Sequence, residues 1–86
     1  MELKDARGFA WKLREARVHK GMTQQELADQ IGMSRSWVHN VETGRKQPTL
    51  GAAIAALSAL DYTLEVRKIS QEERQPILDL LERLGR

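Results

Sequence analysis

Apolar positions along this chain follow two different periods. Phe9, Leu13 and Ala16 recur at spacings of four and three within a run of strong helix formers from residue 5 to about residue 19, which predicts a first helix ending before Gly21. Thr23 then has the chemistry to cap a second helix, its hydroxyl accepting the amide of Glu26 while the Glu26 carboxylate reaches back. That helix runs to about Ile31 with Leu27, Ala28 and Ile31 inward, and Gly32 leaves it through a left-handed conformation. Ser34 caps a third helix through Trp37, Val38 and Val41 to Glu42 or Thr43, with Gly44 as its stop. Two short helices joined by a glycine turn must cross steeply. After a polar loop at 44–48, a fourth helix offers Leu50, Ile54, Leu57 and Leu60 as the stripe that closes a four-helix core.

The period then switches to two. Tyr62, Leu64 and Val66 alternate with Thr63, Glu65 and Arg67, as in a strand with one buried face. A lone strand cannot satisfy its own backbone, so a second copy of the chain is the expected partner, in a two-stranded antiparallel ribbon across a twofold axis. Beyond Ser70 the helical period returns at Ile77, Leu80, Leu81 and Leu84, giving an amphipathic tail helix that starts or bends at Pro76. The expected fold is therefore an all-α helix-turn-helix domain at 1–61, a dimerisation strand at 62–69 and a short tail helix at 70–86.

Eighty-six residues suffice for one small domain and not for two independent cores. With no cysteine, disulfides and thiolate metal sites are excluded, and two histidines with scattered carboxylates leave no metal or cofactor to expect. No apolar run approaches the roughly 20 residues that span a bilayer, and the first residues lack the apolar block of a signal peptide, so a cytoplasmic protein is expected. Charge is uneven: residues 1–50 hold nine Lys or Arg against six Asp or Glu, whereas residues 51–86 hold five against six. The basic excess thus lies in the half that carries the two short helices, which suits a surface facing phosphates.

Taken as it stands, Met22-Thr-Gln-Gln-Glu-Leu-Ala-Asp-Gln-Ile-Gly-Met-Ser-Arg-Ser-Trp-Val-His-Asn-Val-Glu-Thr-Gly44 resembles the helix-turn-helix of the lambda-repressor-like, or XRE, family. Thr-Gln opening the second helix, Leu-Ala within it, Gly at the turn, Ser-x-Ser at the start of the third helix and Val-x-x-Val-Glu-x-Gly at its end carry the likeness. The physical reading agrees with it. A major groove admits one α-helix, whose exposed face must present short or forked polar groups to base edges. Ser34, Arg35, Ser36, His39 and Asn40 supply that face, with Arg35 suited to a bidentate contact with guanine, while Val38 and Val41 point into the core. Thr23, Gln24, Arg45 and Lys46 are the expected phosphate contacts, Gln24 because it matches the family position that holds a backbone phosphate. Trp37 is placed with them, although packing is the favoured reading of its ring, a half-buried brace for the third helix rather than a contact with a thymine methyl or sugar. Arg17 and Glu42 occupy positions where some family members form a structural ion pair. His19 is expected at the surface, and Trp11 as an exposed ring offered to a partner or lying over neighbouring Arg and Lys stems.

The run Ala-Leu-Ser-Ala-Leu-Asp-Tyr-Thr-Leu-Glu-Val is further similar to the HipB-type antitoxins, in which a strand after the last helix pairs with its twin. That resemblance implies a homodimer on an inverted-repeat operator, repression of its own operon and a HipA-like kinase toxin as partner; the tail helix departs from it. A stand-alone regulator without a toxin and a protein-docking adaptor are the alternatives. Catalysis is not expected, because no nucleophile sits beside a base and no glycine-rich loop is placed to cradle phosphate.

Overall fold

A computed structural model describes residues 6–85 of the chain. Its element order is α1 (Ala6–His19), α2 (Gln24–Ile31), α3 (Arg35–Glu42), α4 (Leu50–Ala59) and α5 (Gln71–Leu84). The start of α1 expected at Asp5 lies outside the described residues.

Local signals set the ends of these helices. Thr23 accepts the Glu26 amide at 3.0 Å and Glu26 accepts the Thr23 amide at 3.0 Å, so two of the orphan donors at the start of α2 are satisfied reciprocally. The Thr23 backbone N–H first, and the Thr23 side chain after it, hold the Glu26 carboxyl below its ordinary pKa. At the other end Gly32 takes φ 70° and ψ 28°, a left-handed conformation that a Cβ would strain, and the amides of Gly32 and Met33 both close on the Ala28 carbonyl. Ser34 and Thr49 cap α3 and α4 through their hydroxyls.

The core lies between α1, α2, α3 and α4. Leu13 and Ala16 from α1, Leu27 and Ala28 from α2, Trp37, Val38 and Val41 from α3, and Ala56 and Leu60 after it form one buried cluster, with Phe9, Met22 and Ile31 packed on its margin. One expectation for α4 is corrected here. Of the stripe Leu50, Ile54, Leu57 and Leu60, only the last two are buried; Leu50 is 70% exposed and Ile54 42%. The inward face is instead Ala53, Ala56 and Leu57. Because α4 is apolar nearly all round, period alone does not choose its face, and small side chains let it approach the other helices closely.

Helix α4 ends in a paired-carbonyl cap. Asp61 adopts φ 68°; its amide bonds the Ser58 carbonyl, and the Tyr62 amide reaches the Leu57 carbonyl at 2.8 Å. Lys20 fastens this corner by donating to the Ala59 carbonyl at 2.8 Å and pairing with Asp61 at 3.2 Å. Beside it the Lys12 ammonium lies 4.5 Å from the centre of the Tyr62 ring. The first residues after α4 are thereby tied to α1.

Residues 62–69, expected as a strand, carry no regular secondary structure, and among the described residues no strand is present. The reason is that a ladder needs two strands, and one copy supplies a single candidate. The tail helix does form, and earlier than Pro76: Ser70 caps it in a second capping box with Glu73, and Pro76 lies inside it. Arg67 also clamps Glu73, with one of its contacts at 3.2 Å, and together with Ser70 this holds the Glu73 carboxyl down to about 2. Yet no residue of α5 is buried.

Candidate nucleic-acid interface

Helix α3 is divided lengthwise. Trp37, Val38, Val41 and Glu42 are buried on one side, while Arg35, Ser36 and His39 are exposed on the other and Asn40 is half-buried at its border. At 100° per residue, positions 35, 36, 39 and 40 fall within less than half a turn, so they form one outward strip. Ser34 begins the strip; its Oγ accepts the Trp37 amide at 3.0 Å, which leaves the hydroxyl hydrogen to donate elsewhere. Among the described residues, the side chains of Arg35, Ser36, His39, Asn40, Arg45 and Lys46 make no hydrogen bond or ion pair. Exposed polar groups with no internal duty are what an interface for a polar ligand requires.

Trp37 does not belong to that strip. It is only 7% exposed and sits in the core cluster, so the ring braces α3 from within rather than standing on the outward strip with the expected phosphate contacts.

Two backbone devices bring the expected phosphate contacts to the same place. The amides of Arg45 and Lys46 both donate to the Asn40 carbonyl, at 2.9 and 3.1 Å, folding the loop after α3 back against its last turn. Gly44 permits the reversal with φ 78°. The backbone that carries two cations is thereby fixed at the C-terminal end of the strip. This doubly accepting carbonyl was not anticipated from sequence; a glycine followed at once by two basic residues was the available signal.

Gln24 comes to the same end of α3, where it joins an ion pair through Glu42. The Arg17 guanidinium donates to Glu42 through Nε at 2.7 Å and a terminal nitrogen at 3.0 Å, and to the Met22 carbonyl at 2.8 Å. Gln24 donates its amide to the same carboxylate at 3.3 Å. The Glu42 side chain is 1% exposed and that of Arg17 12%, and among the described residues no buried side-chain polar atom lacks a partner. One fully bonded network thus joins α1, the start of α2 and the end of α3. It sets the angle at which α3 is presented, and it orients Gln24 beside α3 by a contact the sequence did not reveal.

Two short helices crossing at a left-handed glycine, the second with its polar strip outward, define a helix-turn-helix DNA-binding domain. The sequence matches the family described as "Helix-turn-helix domain" over residues 9–68, and the chain belongs to that family. It is similar to the "Transcriptional regulator ClgR" of Mycobacterium tuberculosis, 36% identical over 62 residues that make up 72% of this chain and 55% of that protein. It is also similar to the "Uncharacterized HTH-type transcriptional regulator YqaE" of Bacillus subtilis, 28% identical over 78 residues, 83% of this chain and 67% of that protein. The chain therefore spans little more than half the length of the ClgR relatives. No solved structure matches it. Among the described residues, no helix is long and apolar enough to cross a membrane and no group of His, Asp and Glu could hold a metal ion.

Proposed function

We propose that this chain is a sequence-specific repressor of transcription that binds an inverted-repeat operator as a homodimer, α3 of each copy entering the major groove. The observation that supports it most is the outward strip from Ser34 to Asn40, polar and without internal partners, flanked by Arg45 and Lys46. Arg35 takes the base contact of greatest discrimination, worth on the order of 1–3 kcal/mol against a wrong pair. Ser34, Ser36, His39 and Asn40 read neighbouring edges, while Thr23, Gln24, Arg45 and Lys46 hold phosphates and set register.

Pairing of residues 62–66 with the same residues of a second copy, centred on Leu64, supplies the twofold axis; it is the arrangement in which the alternation of Tyr62, Leu64 and Val66 finds a ladder. The two α3 helices then face one side of the duplex a helical turn, or a multiple of one, apart. A second reading, that the repressor is also the antitoxin of a HipA-like kinase, is favoured by Trp11 and Val18, which stand 63% and 57% exposed one heptad apart on α1; co-purification of such a kinase from the native host tests it.

The DNA reading is tested by binding-site selection with the wild-type chain and the Arg35→Ala and Lys46→Ala variants over a range of salt. Arg35→Ala relaxes the preference at one base pair per half-site, and Lys46→Ala weakens all sites alike and lowers the salt slope by about one unit. Selected sites without twofold symmetry, or unchanged half-site preferences in Arg35→Ala, overturn it. Replacing Val66 by Lys weakens dimerisation and operator binding; a dimer dissociation constant and an operator affinity that both stay unchanged contradict the ribbon.

A further inference from the structure

Two helical faces of this chain lack a covering. On α4, which contains no charged residue, Leu50 and Ile54 stand in solvent together with Gly51, Ala55 and Ser58. A groove of about 340 Å³ opens beside Leu50, between Phe9, Pro48, Ala53 and Leu64. On α5, Leu78, Leu81 and Leu84 are 48%, 57% and 63% exposed. A two-stranded ribbon is itself marginal in water, so the homodimer needs more surface than residues 62–66 provide. Leu50, Ile54, Tyr62, Leu64, Val66, Ile77, Leu78, Leu81 and Leu84 together expose the equivalent of about five whole side chains, an area on the order of 800 Å². That is what one partner contributes to an interface of standard size.

Topology says which face meets which. Antiparallel pairing centred on Leu64 sets Val66 opposite the partner copy's end of α4, so everything after Val66 lies over the other copy. Residues 67–70, if extended, reach about 13 Å, and the 14 residues of α5 span about 21 Å, enough to run back along a 10-residue α4 of about 15 Å.

We propose that α5 docks in trans, its leucine stripe lying along the Leu50–Ile54 face of α4 in a second copy, so that the twofold axis covers both uncovered faces twice over. The inference rests on the homodimer reading given above. It makes α5 the main source of dimer stability and the ribbon the element that sets its register. The contact is isologous, α5 of each copy meeting α4 of the other, and it leaves α3 outside it.

The absence of native cysteine makes the test direct. A chain carrying only Ile54→Cys is mixed with a size-tagged chain carrying only Leu81→Cys and oxidised mildly, and dimerisation of each variant is followed by analytical ultracentrifugation. The expected result is a disulfide-linked heterodimer in excess over either homodimer, together with at least a tenfold rise in the dimer dissociation constant for Leu81→Lys and for Ile54→Lys with an unchanged melting temperature of the α1–α4 body. A double variant, Ile54→Cys with Leu81→Cys, that links only within one chain shows docking in cis and overturns the proposal. Dimers that form without any 54–81 link, and that Leu81→Lys does not weaken, also overturn it while leaving the ribbon intact. A wild-type chain that stays monomeric throughout overturns the ribbon and the trans helix together.

Discussion

Helices α2 and α5 begin with the same device and end in different circumstances. Thr23 with Glu26 and Ser70 with Glu73 each form a complete capping box, and both helices carry an apolar stripe. Yet Leu27 and Ala28 are fully buried whereas α5 buries nothing. Capping and periodicity are local, so they specify that a helix forms; only a complementary surface specifies where it lies. The body from α1 to α4 contains its own complement. The tail does not, and its Leu78, Leu81 and Leu84 face water.

The contrast predicts a graded set of responses. The largest is at the Arg17–Glu42 network. Arg17→Ala leaves a carboxylate that is almost wholly buried without its cation and costs about 4 kcal/mol in chemical denaturation, and the remaining folded protein loses operator affinity because α3 is no longer held at its angle. A loss under about 1 kcal/mol would mean that the pair does not organise the body. Next, Leu27→Ala opens a cavity in the core and costs about 3 kcal/mol, while Leu81→Ala, made in chains dilute enough to be monomeric, changes stability by a few tenths of a kcal/mol. Equal effects at the two positions would erase the distinction between body and tail. Ser34→Ala removes the N-cap of α3 and costs about 1 kcal/mol by thermal melting. The smallest response is confined to the tail. Arg67 and the Ser70 amide hold Glu73 at about 2, below its ordinary 4.5. A depressed carboxylate contributes stability above its unfolded pKa and loses it as pH falls through the folded one, so the start of α5 loosens between pH 4.5 and about 2. A carbon NMR titration of the Glu73 carboxyl with a midpoint near 4.5 would show the clamp to be absent.

Much of the body was legible in the chain because its signals are short in range. Thr23, Gly32 and Ser34 do what their spacing implied, and Val38 and Val41 face inward as expected. The face of α4 was not legible: leucines and alanines occur on every side of it, and the choice of Ala53 and Ala56 over Leu50 and Ile54 depends on how close the neighbouring helices come. Trp37 was ambiguous for a related reason, since an indole suits both a groove wall and a core, and only its burial in the cluster places it. The ties of Lys12 to Tyr62 and of Lys20 to Asp61 cross tens of residues, and no local pattern announces them. The strand expected at 62–69 is absent because alternation alone supplies no ladder partner, and the described residues of one copy offer none.

The most direct test is residue-resolved. Amide chemical shifts are followed in dilute buffer as the protein is titrated with a duplex carrying its selected site. The largest changes are predicted at residues 34–40, with smaller ones at 23–24 and 44–46 and little along the buried side of α1. Changes confined to α1 or α5, or none at all at low ionic strength, would contradict α3 as the element that enters the groove.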